Sequence, residues 1–147
     1  MNATGRAVRR GGVRVARLDR LPGGHLALVR LIERALPRLF NPAAAGELNA
    51  VFELRITNPR HRAPDSFGLT ISDATLRITR GPAARAGATV SIGADDVVLL
   101  ATGETGWAAL LAGRRLVLSG DPFLALRFPR LFGLPAEAGE PMILARR

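Results

Sequence analysis

The sequence predicts an α+β domain: one mixed five-stranded sheet, made of a three-strand meander, a crossover and two further strands, covered on one face by helices. Three observations carry this expectation. Apolar residues recur at spacings of three and four between Leu26 and Phe40, then alternate in period two from Val51 to Ile78. After a proline- and glycine-containing stretch they return as short runs separated by Gly, Asp and Pro. The chain has 147 residues, 48% of them apolar and 22% charged, which is the size and balance of one folded domain.

The first helix is read over Leu26–Phe40. Leu28, Leu31, Ile32, Ala35, Leu36 and Leu39 share one side and leave Arg30, Glu33, Arg34 and Arg38 on the other, with Pro37 kinking or ending it. Asn41-Pro42 breaks the run, and Ala43–Asn49 is expected to form a second short helix. From Val51, the residues Phe52, Leu54 and Ile56 alternate with Glu53, Arg55 and Thr57, giving one apolar and one wet face. Asn58–Ser66, with two prolines and His61, reads as a loop. Phe67, Leu69 and Ile71 mark a second strand, Ser72-Asp73 a tight turn, and Leu76 and Ile78 a third strand.

Arg80–Gly87 is the crossover, and Val90 and Ile92 face inward from a fourth strand. Asp95 suits the N-cap of a helix through Val97–Leu100 that stops near Gly103. Gly106–Gly113 holds a short helix with Trp107, Leu110 and Leu111, and Leu116–Ser119 is a fifth strand. Asp121 then caps a last helix with Pro122 in its first position, where a missing N–H costs nothing. Phe123, Leu126, Leu131 and Phe132 are expected on its apolar side, with Pro129 disturbing the middle. No internal repeat or interdomain linker interrupts residues 21–147.

Several function classes are excluded or disfavoured by composition. There is no cysteine, which removes disulfides, thiolate zinc sites and cysteine nucleophiles and accords with a reducing compartment. Apolar runs are a few residues long, well short of the roughly 20 needed to span a bilayer. Arg9-Arg10 is followed by Gly11, Gly12, Arg14 and Arg17 where an export signal would have an apolar core. A cytoplasmic protein is therefore expected.

The net charge is +9 and every basic residue is arginine. The arginines spread along the chain, and the one dense cluster is residues 1–20, read as a flexible basic arm or as codons upstream of the true start. The absence of an aromatic-interleaved patch or helix-turn-helix argues against nucleic acid. An anionic membrane surface is the partner such an arm would meet transiently.

At this point the residue order resembles the sterol carrier protein-2 lipid-transfer domain. The resemblance rests on Ala88-Thr89-Val90-Ser91-Ile92, on Asp95-Asp96-Val97-Val98-Leu99-Leu100 closing at Gly103, and on Gly113-Arg114-Arg115-Leu116-Val117-Leu118-Ser119-Gly120-Asp121 with its terminal Gly-Asp pair. It spans about Leu26–Gly133. Two departures stand out: the loop Asn58–Ser66 in place of a short hairpin turn and central aromatic, and Ala136–Arg147 in place of a longer C-terminal lid.

The resemblance implies non-catalytic binding or transfer of an apolar ligand, such as a sterol, a fatty acyl chain or a polyprenyl quinone precursor, in a hydrophobic tunnel. Residues expected to line it are Phe52, Leu54, Leu69, Leu99, Leu100, Trp107, Leu110, Leu111, Phe123, Leu126 and Phe132. The alternative is an accessory scaffold whose groove docks a partner enzyme. No cofactor and no metal are implied.

Chemistry is thinly represented otherwise. Ser66, Ser72, Ser91 and Ser119 lack a nucleophile-elbow context, and His25 and His61 read as capping or surface residues. Asp95-Asp96 and Asp121 read as helix-start carboxylates rather than as a metal or acid site. Phosphate- and dinucleotide-loop patterns are absent. Arg114-Arg115 is either a solvated pair or a contact for an anionic headgroup.

Overall fold

The computed structural model describes residues 24–59, 63–134, 137 and 139, with side chains from residue 28 onward. The basic arm predicted over residues 1–20, His61 and most of the C-terminal tail lie outside that set, and only the backbone of His25 lies within it.

Helix α1 (Gly24–Leu39) packs its stripe inward: Leu28, Val29, Ile32, Leu36 and Leu39 are buried. Pro37 does not end it, because the helix stops two residues later. Asn41 caps the short helix α2 (Pro42–Ala45), accepting hydrogen bonds from the Ala43 and Ala44 amides at 3.1 and 3.4 Å. The strands are β1 (Ala50–Thr57), β2 (Asp65–Ser72), β3 (Thr75–Arg80), β4 (Ala88–Gly93) and β5 (Leu116–Gly120). Their spatial order is β3-β2-β1-β4-β5, with β1 and β4 parallel and every other pair antiparallel. The predicted mixed five-stranded sheet and α+β class are what the chain adopts.

Register sets the apolar face in rows. Leu54 lies between Phe67 and Val90, and Val90 in turn faces Leu118; Ile56 faces Ile92, which faces Leu116. The β2–β3 hairpin turns at Asp73 and Ala74, with φ of 51° and 56°. Two consecutive left-handed residues make the two-residue turn whose twist matches the strands it joins.

The opposite face of β1 is wet at Arg55 and Thr57, as the alternation predicts, but not at Glu53. Glu53 is 4% exposed. The crossover folds over it: Ala83 N–H donates to Glu53 Oε1 at 2.9 Å, Arg55 pairs with Oε2, and Ala83 rests against Gly68, the register partner of Glu53. A buried carboxylate is tolerated here because both of its oxygens have partners.

Helix α3 (Ala94–Ala101) follows β4 without a loop, so Gly93, extended at φ −74° and ψ 150°, takes the N-cap position predicted for Asp95. Asp95 and Asp96 sit in the first turn, where the helix dipole favours them. Asp96 is buried and held by Arg115, whose guanidinium reaches Oδ1 at 2.6 Å and Oδ2 at 3.2 Å. Arg115 is thus neither free nor a simple solvated residue; it pins the approach to β5 onto α3. Helix α4 (Trp107–Ala112) lies between Gly106 and Gly113, and α5 (Pro122–Leu131) is capped by Asp121 through the Phe123 amide at 2.8 Å. Outside the sheet, Glu33 and Arg80 make a two-point fork at 2.7 and 2.8 Å that ties α1 to β3. That hydrogen bond to Arg80 holds the Glu33 carboxyl below its ordinary value.

The Gly120-Asp121 pair has a structural reason. Gly120 has φ of +90°, and a Cβ there would lie 2.5 Å from the Gly87 carbonyl oxygen and 2.9 Å from Ala88 Cα. The same Gly87 oxygen accepts from the Asp121 amide at 2.7 Å. Only glycine lets β5 end this close to β4 while starting α5. Gly120→Ala is expected to cost about 2 kcal/mol or more, from backbone strain plus steric contact, read as a lowered denaturant midpoint. A loss below about 0.5 kcal/mol would show that the contact relaxes freely.

Candidate functional site: an apolar cavity under the first helix

The inner face of the sheet and the helices above it do not close completely. Between them lies a cavity of about 330 Å³. Its floor is Leu54, Ile56, Val90 and Ile92 from β1 and β4. Helix α1 roofs it with Leu31, Ile32, Ala35, Leu36 and Leu39. Val97, Leu100 and Ala101 of α3 form one wall, and Trp107, Phe128, Phe132 and Leu134 form the other. Every lining side chain is hydrocarbon or indole. Leu31, 49% exposed, and the exposed Ala101 mark the side that opens to solvent.

The aromatic wall is one cluster. Phe128 stacks on Trp107 with ring centroids 5.7 Å apart and planes at 20°, meets the edge of Phe52 at 5.4 Å, and lies 4.9 Å from Phe132, which in turn touches Phe40 at 5.9 Å. Phe128 and Phe132 are both buried although they line the cavity. Trp107 is the only tryptophan in the sequence, so its emission reports on this wall.

Of the residues that the sequence reading gathered for a ligand site, the structure brings Leu54, Leu100, Trp107 and Phe132 around the cavity. Phe52, Leu69 and Leu110 are buried in the packed core beside it, and Leu99 and Leu111 are half-buried away from the lining. Phe123 and Leu126 lie on the outside of α5, 78% and 68% exposed. The side of α5 that packs inward is Ala125, Phe128 and Leu131, followed by the buried Phe132, so the apolar side read from the sequence holds at Leu131 and Phe132 and is corrected at Phe123 and Leu126. Both sides of this helix carry large apolar residues, and spacing alone does not choose between them.

Sequence reasoning missed the roof and, apart from Leu54, the floor. Leu31, Ile32, Ala35 and Leu36 were identified as the buried stripe of a helix, and Ile56, Val90 and Ile92 as inward strand positions, but nothing in one-dimensional spacing separates a stripe that packs from one that spans a gap. Phe128 was available at i+4 from Leu124 and i+3 from Ala125, a signal masked by the neighbouring Pro129.

A second, wider depression of about 650 Å³ lies between Val29, Phe67 and the crossover start at Gly81-Pro82. Of its charged lining residues, Glu53, Arg55 and Arg80 are engaged in ion pairs. Among the described residues no group of three or more His, Asp or Glu could hold a metal ion, and no helix is long and apolar enough to cross a membrane.

Comparison with solved structures shows where this architecture recurs. The crystal structure of sterol carrier protein 2 like 2 from Aedes aegypti is similar at a TM-score of 0.60 and 20% identity, over 73% of this chain and 97% of that one. The sterol carrier protein domain 2 of Helicoverpa armigera matches at 0.57 and 13% identity, over 71% and 84%. The fold also occurs as part of a larger enzyme: the sec-alkylsulfatase Pisa1 from Pseudomonas sp. matches at 0.54 and 16% identity over 69% of this chain but 15% of its own. No curated protein sequence matches. The model of the SCP-2 sterol transfer family, however, matches residues 31–133, from the roof of the cavity to the end of α5, and the chain belongs to that family.

Proposed function

We propose that this protein binds the hydrocarbon portion of a lipid-like molecule in the cavity under α1 and transfers it without chemical change. The observation that carries the reading is a cavity of about 330 Å³, of small-molecule size, whose side chains offer dispersion contact and nothing that ionises. Each methylene moved from water into such a space is worth roughly 0.8 kcal/mol, so an acyl, prenyl or sterol skeleton is held without any directed polar group. Membership of a sterol transfer family supports it, as does the palmitated form in which the Aedes aegypti relative has been solved. The residues assigned to ligand contact are Leu54, Leu100, Trp107 and Phe132 from the sequence reading, joined by Ile32, Ala35, Ile92, Val97 and Phe128. No catalytic role is assigned to any residue, and no cofactor enters.

Native mass spectrometry of gently purified protein is expected to show a co-purified lipid. Titration with a fluorescent fatty acid is expected to quench Trp107 saturably. A protein that carries no lipid and leaves the fatty acid in water overturns the carrier reading.

A further inference from the structure

We infer that the outer stripe of α5 is a docking surface for an anionic lipid bilayer. Successive residues of a helix are turned by 100°, which places Phe123, Leu126, Arg127 and Arg130 within one arc of about 100°. All four are exposed, with Phe123 at 78% and Leu126 at 68%. Phe123 and Leu126 are the two most exposed large apolar side chains among the described residues. Leaving both in water on one ten-residue helix is costly unless another phase receives them.

The arginines on the same stripe name that phase. Apolar side chains flanked by cations are suited to the boundary where acyl chains meet charged headgroups. No carboxylate lies on the stripe; Asp121, at the helix start, is turned to the Phe123 amide as its cap. Arg127 also donates to the Ala44 carbonyl at 3.2 Å, which fixes the stripe relative to α2. The net charge of +9 supplies long-range attraction to an anionic surface. The inner side of the same helix carries Phe128, a wall of the cavity, so the docking face and the cavity share one element. This deepens the carrier reading by naming the surface that meets donor and acceptor membranes.

The test uses the full chain and phosphatidylcholine vesicles with and without phosphatidylserine. Co-sedimentation with the anionic vesicles is expected, weakening as salt is added. The double variant Phe123→Ser, Leu126→Ser is expected to bind them at least about tenfold more weakly. Arg130→Gln is expected to weaken binding about fivefold and flatten the salt dependence. Because Phe123 and Leu126 are exposed, the double variant should keep the parent's denaturant midpoint and its fatty-acid uptake from vesicle-free solution. Vesicle binding by the double variant equal to the parent's overturns the proposal, since the arginine-rich residues 1–20 would then suffice. So does a parent dimer that the double variant converts to monomer, which makes the stripe a self-association surface. Loss of fatty-acid uptake by parent and variant alike counts against the carrier reading instead, and vesicle binding then decides the docking surface by itself.

Discussion

Replacing Ala35 by tryptophan is expected to lower fatty-acid affinity about fiftyfold while leaving the fold intact. Ala35 sits in the roof of the cavity, half-buried, with its methyl group toward the void. An indole added there occupies space that a ligand's chain would otherwise fill. Exclusion of three methylenes, at roughly 0.8 kcal/mol each, removes about 2.4 kcal/mol of binding, which is that fiftyfold loss. The stability change is expected to be within about 1 kcal/mol, because filling a void restores dispersion contacts and needs no displacement of the packed core. Fluorescent fatty-acid titration measures the first quantity and urea denaturation the second. Unchanged uptake in a folded Ala35→Trp protein would place the bound chain elsewhere. Loss of both uptake and stability would mean that the roof and floor close over this space in solution.

Much of this architecture is legible in the sequence because its signals are local. The alternation of Phe52, Leu54 and Ile56 fixes an inward face of β1, and Asp121-Pro122 marks a helix start through the amide that Asp121 accepts and the one that Pro122 lacks. Gly103 stops α3 with φ of +79°, a backbone conformation that glycine adopts without strain. Where the sequence reading failed, the deciding contact was with a distant segment. Glu53 looks like a wet position until the crossover places the Ala83 amide over it, 30 residues away. Arg115 looks unpaired until Asp96, 19 residues earlier, is set opposite it. The stripe of α5 that packs is chosen by Phe52 and Trp107, which offer an aromatic surface to Phe128 and nothing to Phe123. A cavity is harder still to read, because it is defined by where packing stops.

Phe128→Ala is expected to produce the largest stability loss, about 3–5 kcal/mol, a substantial part of the 5–15 kcal/mol typical of a domain. Phe128 is 3% exposed and has Phe52, Trp107 and Phe132 around it at 4.9–5.7 Å between ring centroids. Truncation removes the transfer energy of a buried ring, three aromatic contacts of about 0.5–1.5 kcal/mol each, and adds a void continuous with the existing cavity. The measurable signs are a lower urea midpoint with little change in slope and a red-shifted Trp107 emission as water reaches the indole. Phe128→Leu, which keeps most of the volume, should recover the larger part of the loss. If both variants fold at low temperature, the alanine protein should also accept a bulkier ligand than the parent, because the wall that limits the cavity has been withdrawn. That pairing follows from geometry: one ring both fastens α5 to the sheet and bounds the space beneath α1. Cavity volume and stability are then opposed at this residue: enlarging the space at Phe128 weakens the contact that holds α5 against the sheet.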